Sequence, residues 1–327
     1  MGVRDYSARW DAAAPVAGGL AWVALLALSI ADVAPLGIIE QLFLLAPLVI
    51  VPLGLRLLRQ QASSGWSGTL REAAQVIQPP AAALVVISFL LPRGKIAASL
   101  AAGWLMVGGL VGLAGLGDLL AGGYRRAAAA CCVAAQLFLP VGTAWLFLSR
   151  LGATNLGFEE PIILLTGVHF HFTGFVAPLI AAATGQFLGS RPGCVRNLFH
   201  LVTLGVIAAP PLIATGFVFS PALQVTAVFL LALGLFGLAL LSLLAASRMS
   251  AGISRLFLSV SAVSLAAGMV LACAYAVGDF TGIVLVDIPQ MARFHGVLNA
   301  IGFSLCGLLA WILTSREPAT GARAPQP

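Results

Sequence analysis

Residues 222–246 read ALQVTAVFLLALGLFGLALLSLLAA and contain no Asp, Glu, Lys or Arg. As a helix, a stretch of this length spans the roughly 30 Å hydrocarbon core of a bilayer, since each residue adds about 1.5 Å. The rest of the chain has the same character, with 60% hydrophobic residues, 9% charged residues and a mean hydropathy of +1.04. Soluble chains carry about 25% charged residues. This composition therefore excludes a soluble protein and indicates an integral membrane protein.

Apolar segments of spanning length recur along the whole chain of 327 residues. We expect an all-α, polytopic integral membrane helical bundle of about ten transmembrane helices, in which residues 1–316 form one domain and the Pro- and Ala-rich residues 317–327 a disordered tail. The predicted spans are residues 13–33, 36–57, 73–92, 96–117, 126–148, 161–186, 198–219, 222–246, 255–277 and 289–314.

The basic residues orient these spans. With the N-terminus inside, 13 of the 17 Lys and Arg residues fall on the inner side and four on the outer side. Because cytoplasmic loops are enriched in basic residues, the distribution predicts that both termini are inside and that the number of spans is even. Residues 1–10 are then a cytoplasmic lead-in to an uncleaved first span. The net charge of +6 is a topology signal, so the expected partner is the lipid bilayer and no nucleic acid is expected.

Polar residues collect in the outer half of this arrangement. An ionisable side chain inside a membrane is costly, which makes it a candidate functional residue. Three of the four histidines fall there within apolar runs, accompanied by several carboxylates at the ends of spans. The candidate catalytic residues are His169, His171, His295, Asn299, Glu160 and Asp287, and the candidate metal ligands are His169, His171 and His295.

Helix geometry restricts how these candidates act. Residues two apart on a regular helix point about 200° apart, so His169 and His171 reach one metal only if the helix is unwound, which Gly167 and Gly174 would permit. Otherwise one histidine faces a cavity and the other bonds a neighbouring helix. In the last span, His295, Asn299, Gly302 and Cys306 have i, i+4, i+7, i+11 spacing and share one face, a plausible wall of a binding site.

Two sequence blocks carry a family resemblance. Residues 160–175 (EPIILLTGVHFHFTGF) resemble the signature of the YndJ-like bacterial membrane proteins, and residues 291–303 (MARFHGVLNAIGF) are similar to the C-terminal motif of that family. The resemblance implies a multi-pass protein of the bacterial inner (cytoplasmic) membrane. It supports the choice of His169, His171, His295 and Asn299 and implies no particular reaction.

Three functions fit a polar pocket in the outer half of the bilayer. The first is an enzyme acting on a lipophilic small molecule, a lipid or an isoprenoid, with histidines and carboxylates holding non-haem iron or zinc, or acting without metal as acid and base. Isomerase, cyclase, hydratase or oxidoreductase chemistry would follow. The second is a transporter, proton-coupled channel or sensor that uses the same residues. The third is a haem b protein with two axial histidines, since no CxxCH sequence is present for covalent haem.

The predicted orientation is testable with fusions. A fluorescent protein fused after residue 327 is expected to fluoresce, and alkaline phosphatase fused there is expected to be inactive, because both report a cytoplasmic C-terminus. Fusions in the loop near Asp279 serve as the control and are expected to give the opposite pair of signals. Active phosphatase at the C-terminus would contradict the predicted orientation.

Overall fold

The computed structural model of the protein describes residues 3–34, 36–61, 65–154, 157–189 and 193–315, with side chains from residue 13 onwards. These residues include ten helices that are long and apolar enough to cross a membrane, as predicted. The predicted tail, residues 317–327, lies outside the described residues. The ten helices are α1 (Val3–Ile30), α2 (Ile38–Arg59), α3 (Trp66–Leu90), α4 (Lys95–Leu120), α5 (Ala127–Leu151), α6 (Ile162–Leu188), α7 (Cys194–Phe219), α8 (Pro221–Ala246), α9 (Ile253–Thr281) and α10 (Ile288–Thr314).

Short connections make successive helices antiparallel and give the bundle two distinct ends. We call the end at which α2, α4, α6, α8 and α10 begin the carboxylate face, and the opposite end the arginine face. Six of the eleven acidic residues lie at the carboxylate face, namely Asp32, Glu40, Glu159, Glu160, Asp279 and Asp287. The polar candidates of the sequence therefore lie in one half of the bundle.

Helix α2 is the centre of the bundle. Its residues 42–55 are apolar all around, and a helix with no polar face is stable only when it is surrounded by other helices or lipid. In the structure α2 contacts α1, α3, α6 and α10. Of the residues in its most apolar stretch 78% are buried, compared with 17% for α1. Phe43, Leu44 and Ile50 on α2 are completely buried. Helix α2 therefore brings the starts of α6 and α10 together at the carboxylate face.

Helix α3 begins earlier than the sequence suggested. We predicted a start at residue 73 because polar residues and two prolines interrupt this region, but the helix already begins at Trp66. The interrupting polar side chains are buried against other helices and have partners there. Arg71 Nη1 lies 3.5 Å from Asp118 Oδ2 on α4, and Gln78 Nε2 donates to the carbonyl of Pro47 on α2 over 2.6 Å.

Three helices contain wider, π-helical turns. These turns are Ala46–Ile50 in α2, Phe170–Val176 in α6, and Met291–Gly296 and Leu298–Leu305 in α10. Wider turns release backbone carbonyls that lipid cannot satisfy, so side chains must bond them. In α2 the N–H of Val51 bonds the carbonyl of Ala46, and the next residue, Pro52, has no N–H to offer Pro47. The amide of Gln78 supplies the donor that Pro52 lacks.

The seam between α4 and α5 depends on small residues. A Cβ atom at Gly108 would collide with Thr143, and one at Gly112 would lie 2.7 Å from Pro140 Cγ. Such close backbone approach is how helices associate where the hydrophobic effect is absent. Gly108 and Gly112 therefore allow the close packing of α4 against α5.

The bond between Gln78 and the Pro47 carbonyl predicts that a second substitution restores the stability lost when Gln78 is replaced. Gln78→Leu leaves a buried carbonyl without a donor and is expected to destabilise the protein by about 1–2 kcal/mol. Adding Pro52→Ala restores a backbone N–H and is expected to recover most of that loss. Thermal unfolding in detergent measures both effects, with Gln224→Leu at the exposed end of α8 as the control. Independent, additive effects of the two substitutions would contradict this account.

Candidate functional site

His171 points into the bundle and has a partner for each ring nitrogen. Its side chain is completely buried, and the indole Nε1 of Trp104 on α4 lies 2.9 Å from its Nε2. Since an indole N–H only donates, His171 Nε2 accepts and its Nδ1–H donates to the carbonyl of Gly167, 2.7 Å away. The ring also meets Phe43 edge to face at a centroid distance of 5.0 Å. These contacts fix His171 as a neutral imidazole that joins α6 to α4.

His169 lies on the opposite side of α6 and is exposed. Its Nδ1 bonds the carbonyl of Leu165 at 2.7 Å, while Nε2 has no hydrogen-bond partner among the described residues. The π-helical turn begins at Phe170, between the two histidines, but it does not bring them to the same side. Of the two arrangements predicted from the sequence, the structure has the one in which a single histidine bonds a neighbouring helix.

The shared face of α10 packs against α9. His295 Nδ1 lies 2.8 Å from the carbonyl of Gly268, and a Cβ atom at Gly268 would lie 2.5 Å from Asn299 Nδ2. Gly302 on α10 packs against Ser264 on α9. The Asn299 amide donates to the carbonyl of His295 one turn earlier. His295, Asn299 and Gly302 do share a face, but that face forms the contact with α9. His295 Nε2 has no hydrogen-bond partner in the described part of the chain.

The two candidate carboxylates have local partners. Asp287 forms a capping box at the start of α10, where its Oδ1 accepts from the N–H of Gln290 at 2.7 Å and the Gln290 side chain accepts from the N–H of Asp287. Glu160 Oε1 accepts a short hydrogen bond from the Ser149 hydroxyl on α5, and its Oε2 accepts from the N–H of Leu164 at 3.3 Å. These carboxylates anchor the starts of α10 and α6.

The candidate metal ligands do not form one site. Both ring nitrogens of His171 are hydrogen-bonded inside the bundle and are not available to a metal that His169 and His295 would share. Within the described ranges no three His, Cys, Asp or Glu side chains form a group that could hold a metal ion. Because a zinc or non-haem iron site needs three protein ligands, the set of His169, His171 and His295 is not assembled. Of the three candidate histidines, His169 and His295 each keep a ring nitrogen without a hydrogen-bond partner in the described ranges, as an axial haem ligand would require.

A groove opens at the carboxylate face where α2, α6 and α10 begin. Its volume of about 430 Å³ lies within the range of small-molecule pockets. One acidic side chain, Glu40, lies among apolar and glycine lining residues. Glu40 is half-buried, and its carboxylate has no hydrogen-bond partner among the described residues. The complete lining consists of Gly37, Ile38, Ile39, Glu40, Pro161, Ile288, Pro289 and Ala292.

A charged cluster lies behind this groove. Arg150, at the end of α5, is buried, and its guanidinium donates to the Ser88 hydroxyl and to the carbonyls of Ser88 and Leu91 over 2.8–3.2 Å. The guanidinium also lies 4.7 Å from the centre of the Phe89 ring. The carboxylates of Glu160 and Glu40 lie at the same face and carry the charge opposite to that of Arg150.

Three residues of this region were not among the candidates predicted from the sequence. Arg150 is one of the four basic residues that the charge distribution places on the outer side. Glu40 was placed near the start of the second span but was not chosen as a candidate, although a single carboxylate in an apolar run was the available signal. Trp104 could not be chosen from the sequence, because its partner His171 is 67 positions away and no local pattern links the two residues.

The bond between Trp104 and His171 is expected to be structural. Trp104→Phe keeps a large ring but leaves His171 Nε2 without a donor, so the free energy of unfolding should fall by about 1–3 kcal/mol. His171→Ala is expected to lower stability as well, whereas His169→Ala at the exposed position is not. Trp145→Phe is the matched control, since the Trp145 ring meets Phe158 and its indole N–H has no hydrogen-bond partner among the described residues. Equal thermal midpoints for Trp104→Phe and Trp145→Phe would refute the structural role.

Comparisons with known proteins agree with the resemblance noted in the two motifs and extend it. The sequence model of the YndJ-like protein family matches residues 41–303, which also include α2 to α5. The uncharacterized membrane protein YndJ of Bacillus subtilis (strain 168) is 31% identical over 184 residues, covering 56% of this chain and 32% of the relative. The matched part thus amounts to about a third of that relative's length. No solved structure matches. The chain belongs to the YndJ-like protein family.

Proposed function

We propose that this membrane protein is an enzyme that acts on a lipid or isoprenoid bound in the groove, by acid–base chemistry at Glu40. The observation that carries the proposal is an apolar groove lined by one acidic residue, Glu40, which is half-buried and has no hydrogen-bond partner among the described residues. Apolar walls with few polar groups are typical of small-molecule sites, in which the polar group fixes orientation or reacts. In a membrane such a groove selects lipophilic molecules.

The proposed chemistry moves protons and changes no oxidation state. Glu40, as a carboxylic acid, gives its proton to one carbon of a double bond, and a base removes a proton from a neighbouring carbon, so the double bond shifts. Addition of water instead of proton loss gives a hydratase, and attack by a second double bond gives a cyclase. His169 and His295 are proposed as bases because each retains a ring nitrogen without a hydrogen-bond partner in the described structure.

His169 and His295 lie further from the carboxylate face than Glu40, which supports their proposed role as bases at a deeper part of the substrate. His169 follows the groove residue Pro161 by eight residues, or roughly 12 Å along α6. His295 follows the groove residue Ala292 by three residues on α10. A long substrate that enters at the groove would extend from Glu40 toward these rings. The proposal also places the carboxylate face outside the cytoplasmic membrane, because 13 of the 17 basic residues belong to the other side.

A second candidate function is a proton-coupled transporter or channel. The observation that favours it is the π-helical turns in α2, α6 and α10, since irregular turns at membrane depth often line transport sites. Transport can be measured only across a closed membrane, and a protein in detergent has none. Product formation in detergent therefore supports the enzyme. Accumulation of a labelled solute that occurs only in sealed proteoliposomes supports the transporter.

The enzyme proposal predicts a change in cellular lipids. Extracts of a host that expresses the wild-type protein are expected to contain a lipid or isoprenoid product absent from the empty host. Glu40→Gln is expected to reduce that product by about 10²-fold or more, because it removes the proton donor and preserves size. Asp32→Asn at the same face is the control, since Asp32 is exposed and asparagine tolerates its φ of 55°. Identical lipid profiles in the empty host, wild type and Glu40→Gln would overturn the proposal.

A further inference from the structure

A short apolar segment joins α9 to α10 at the carboxylate face. It consists of residues 282–286, which read GIVLV, and we call it the apolar loop. Ile283, Val284 and Leu285 are 61%, 83% and 53% exposed. Turns that lie in water are normally built from polar residues, glycine and proline. We infer that the apolar loop inserts into the bilayer leaflet at the carboxylate face and contacts lipid acyl chains there.

The end of α9 fixes the course of the apolar loop. Gly282 has a φ of 73°, in the left-handed region in which helices commonly end. The N–H of Ile283 then donates to the carbonyl of Gly278 over 3.0 Å. A Cβ atom at Gly278 would lie 2.6 Å from the carbonyl oxygen of Ile283 and 3.5 Å from Leu285 Cβ. The loop therefore turns back along the last turn of α9 and does not extend away from the bundle.

The exposed side of α9 leads to the apolar loop. Exposed apolar residues recur along α9 at intervals of three, four or seven positions, which places them on one side of the helix. Because α9 is long and apolar enough to cross a membrane, this side contacts lipid. It ends beside the apolar loop, so lipid that covers α9 also reaches the loop. The residues of this lipid-facing side are Ile253, Leu256, Val260, Val263, Val270, Val277 and Phe280.

Two aspartates indicate the depth of the loop. Asp279 and Asp287 flank it and are exposed, and no charged residue lies between them. Asp279 follows Arg255 by 24 residues, or roughly 36 Å along α9, which slightly exceeds the roughly 30 Å of a hydrocarbon core. With Arg255 at one boundary of the membrane, Asp279 lies at the other, among headgroups and water. The apolar loop turns back from that level, so its side chains reach the acyl chains.

A second copy of this chain fits the loop less well than lipid does. A two-fold contact would place the loop against the same loop of the other copy. The four carboxylates of Asp279 and Asp287 would then meet around an apolar contact, where like charges repel. In a leaflet these carboxylates stay in water. The charges that flank the loop therefore favour lipid as its partner.

The apolar loop lies next to the groove. Ile288 and Pro289, which line the groove, follow the loop directly after Asp287, the N-cap of α10. Lipid chains at the loop are therefore adjacent to the groove, and a lipophilic ligand can enter it from the leaflet without crossing water. The insertion goes beyond the proposed function, because it depends on the loop and not on chemistry at Glu40.

Photocrosslinking from the loop in intact cells tests the inference. A genetically encoded diazirine amino acid replaces Val284, whose exposed side chain makes the position tolerant of substitution. Val270 on the lipid-facing side of α9 is the positive control, and Ala251, exposed in the turn before α9, is the control in water. Mass spectrometry after irradiation is expected to find lipid adducts at position 284 as often as at 270, and at least about fivefold more often than at 251.

The other outcomes of the crosslinking decide against insertion. Lipid adducts at position 284 that are no more frequent than at 251 would place the loop in water. Adducts of position 284 with a second copy of the chain or with another protein, in place of lipid, would show a protein interface. Lipid adducts at position 284 without a lipid product that depends on Glu40 would support insertion and refute only the proposed enzyme.

Fluorescence quenching gives a second, independent readout of depth. A small fluorescent amino acid at position 284 in nanodiscs is expected to be quenched at least about twofold more by lipids brominated on the acyl chain than by iodide in the water. Leu285→Asp is expected to reduce the quenching by brominated lipid, because a carboxylate is costly at acyl-chain depth. Leu285→Met, the matched control, should preserve it. Stronger quenching by iodide with Leu285 in place would overturn the inference, and so would equal quenching by brominated lipid in the two variants.

Discussion

Lipid provides no hydrogen-bond partners, so a backbone carbonyl freed by a departure from regular helix is stable in this bundle when a side chain bonds it. Gln78 bonds the carbonyl that Pro52 leaves free in α2. Ser261 on α9 donates to the carbonyl of Phe303 over 2.8 Å within the second π-helical turn of α10. Trp104 holds His171 at the π-helical turn of α6. These bonds explain why polar residues occur at separated points in a chain this apolar, and they tie α2, α6 and α10 to their neighbours.

The same constraint separates structural from reactive polar groups. His171, Asp287 and Asn299 stand out in the sequence, yet each has partners that a folded membrane helix requires. Glu40 has no hydrogen-bond partner among the described residues, and it lines the groove where α2, α6 and α10 begin. A carboxylate without a hydrogen-bond donor costs free energy in a membrane unless a ligand or a reaction uses it. The proposed function follows from this difference between Glu40 and the histidine motif.

Much of the architecture follows directly from the sequence. Residues 222–246 and the other apolar stretches specify ten helices, and the short connections place six acids at one end of the bundle. The start of α3 was not predictable, because Arg71 and Gln78 are polar and only their buried partners on α4 and α2 make the helix possible. The contact between Trp104 and His171 was equally hidden, since helical periodicity carries no information about which helices become neighbours. The sequence therefore predicted which half of the bundle carries most of the polar candidates but not the groove.

The measurement that tests the central claim most directly is an electron cryo-microscopy map of the protein purified in native lipids. The account predicts an elongated density that enters between Pro161 and Ile288, ends at the carboxylate of Glu40 and leaves His171 bonded to Trp104. A closed groove, together with a compact metal density held by His169 and His171, would contradict it.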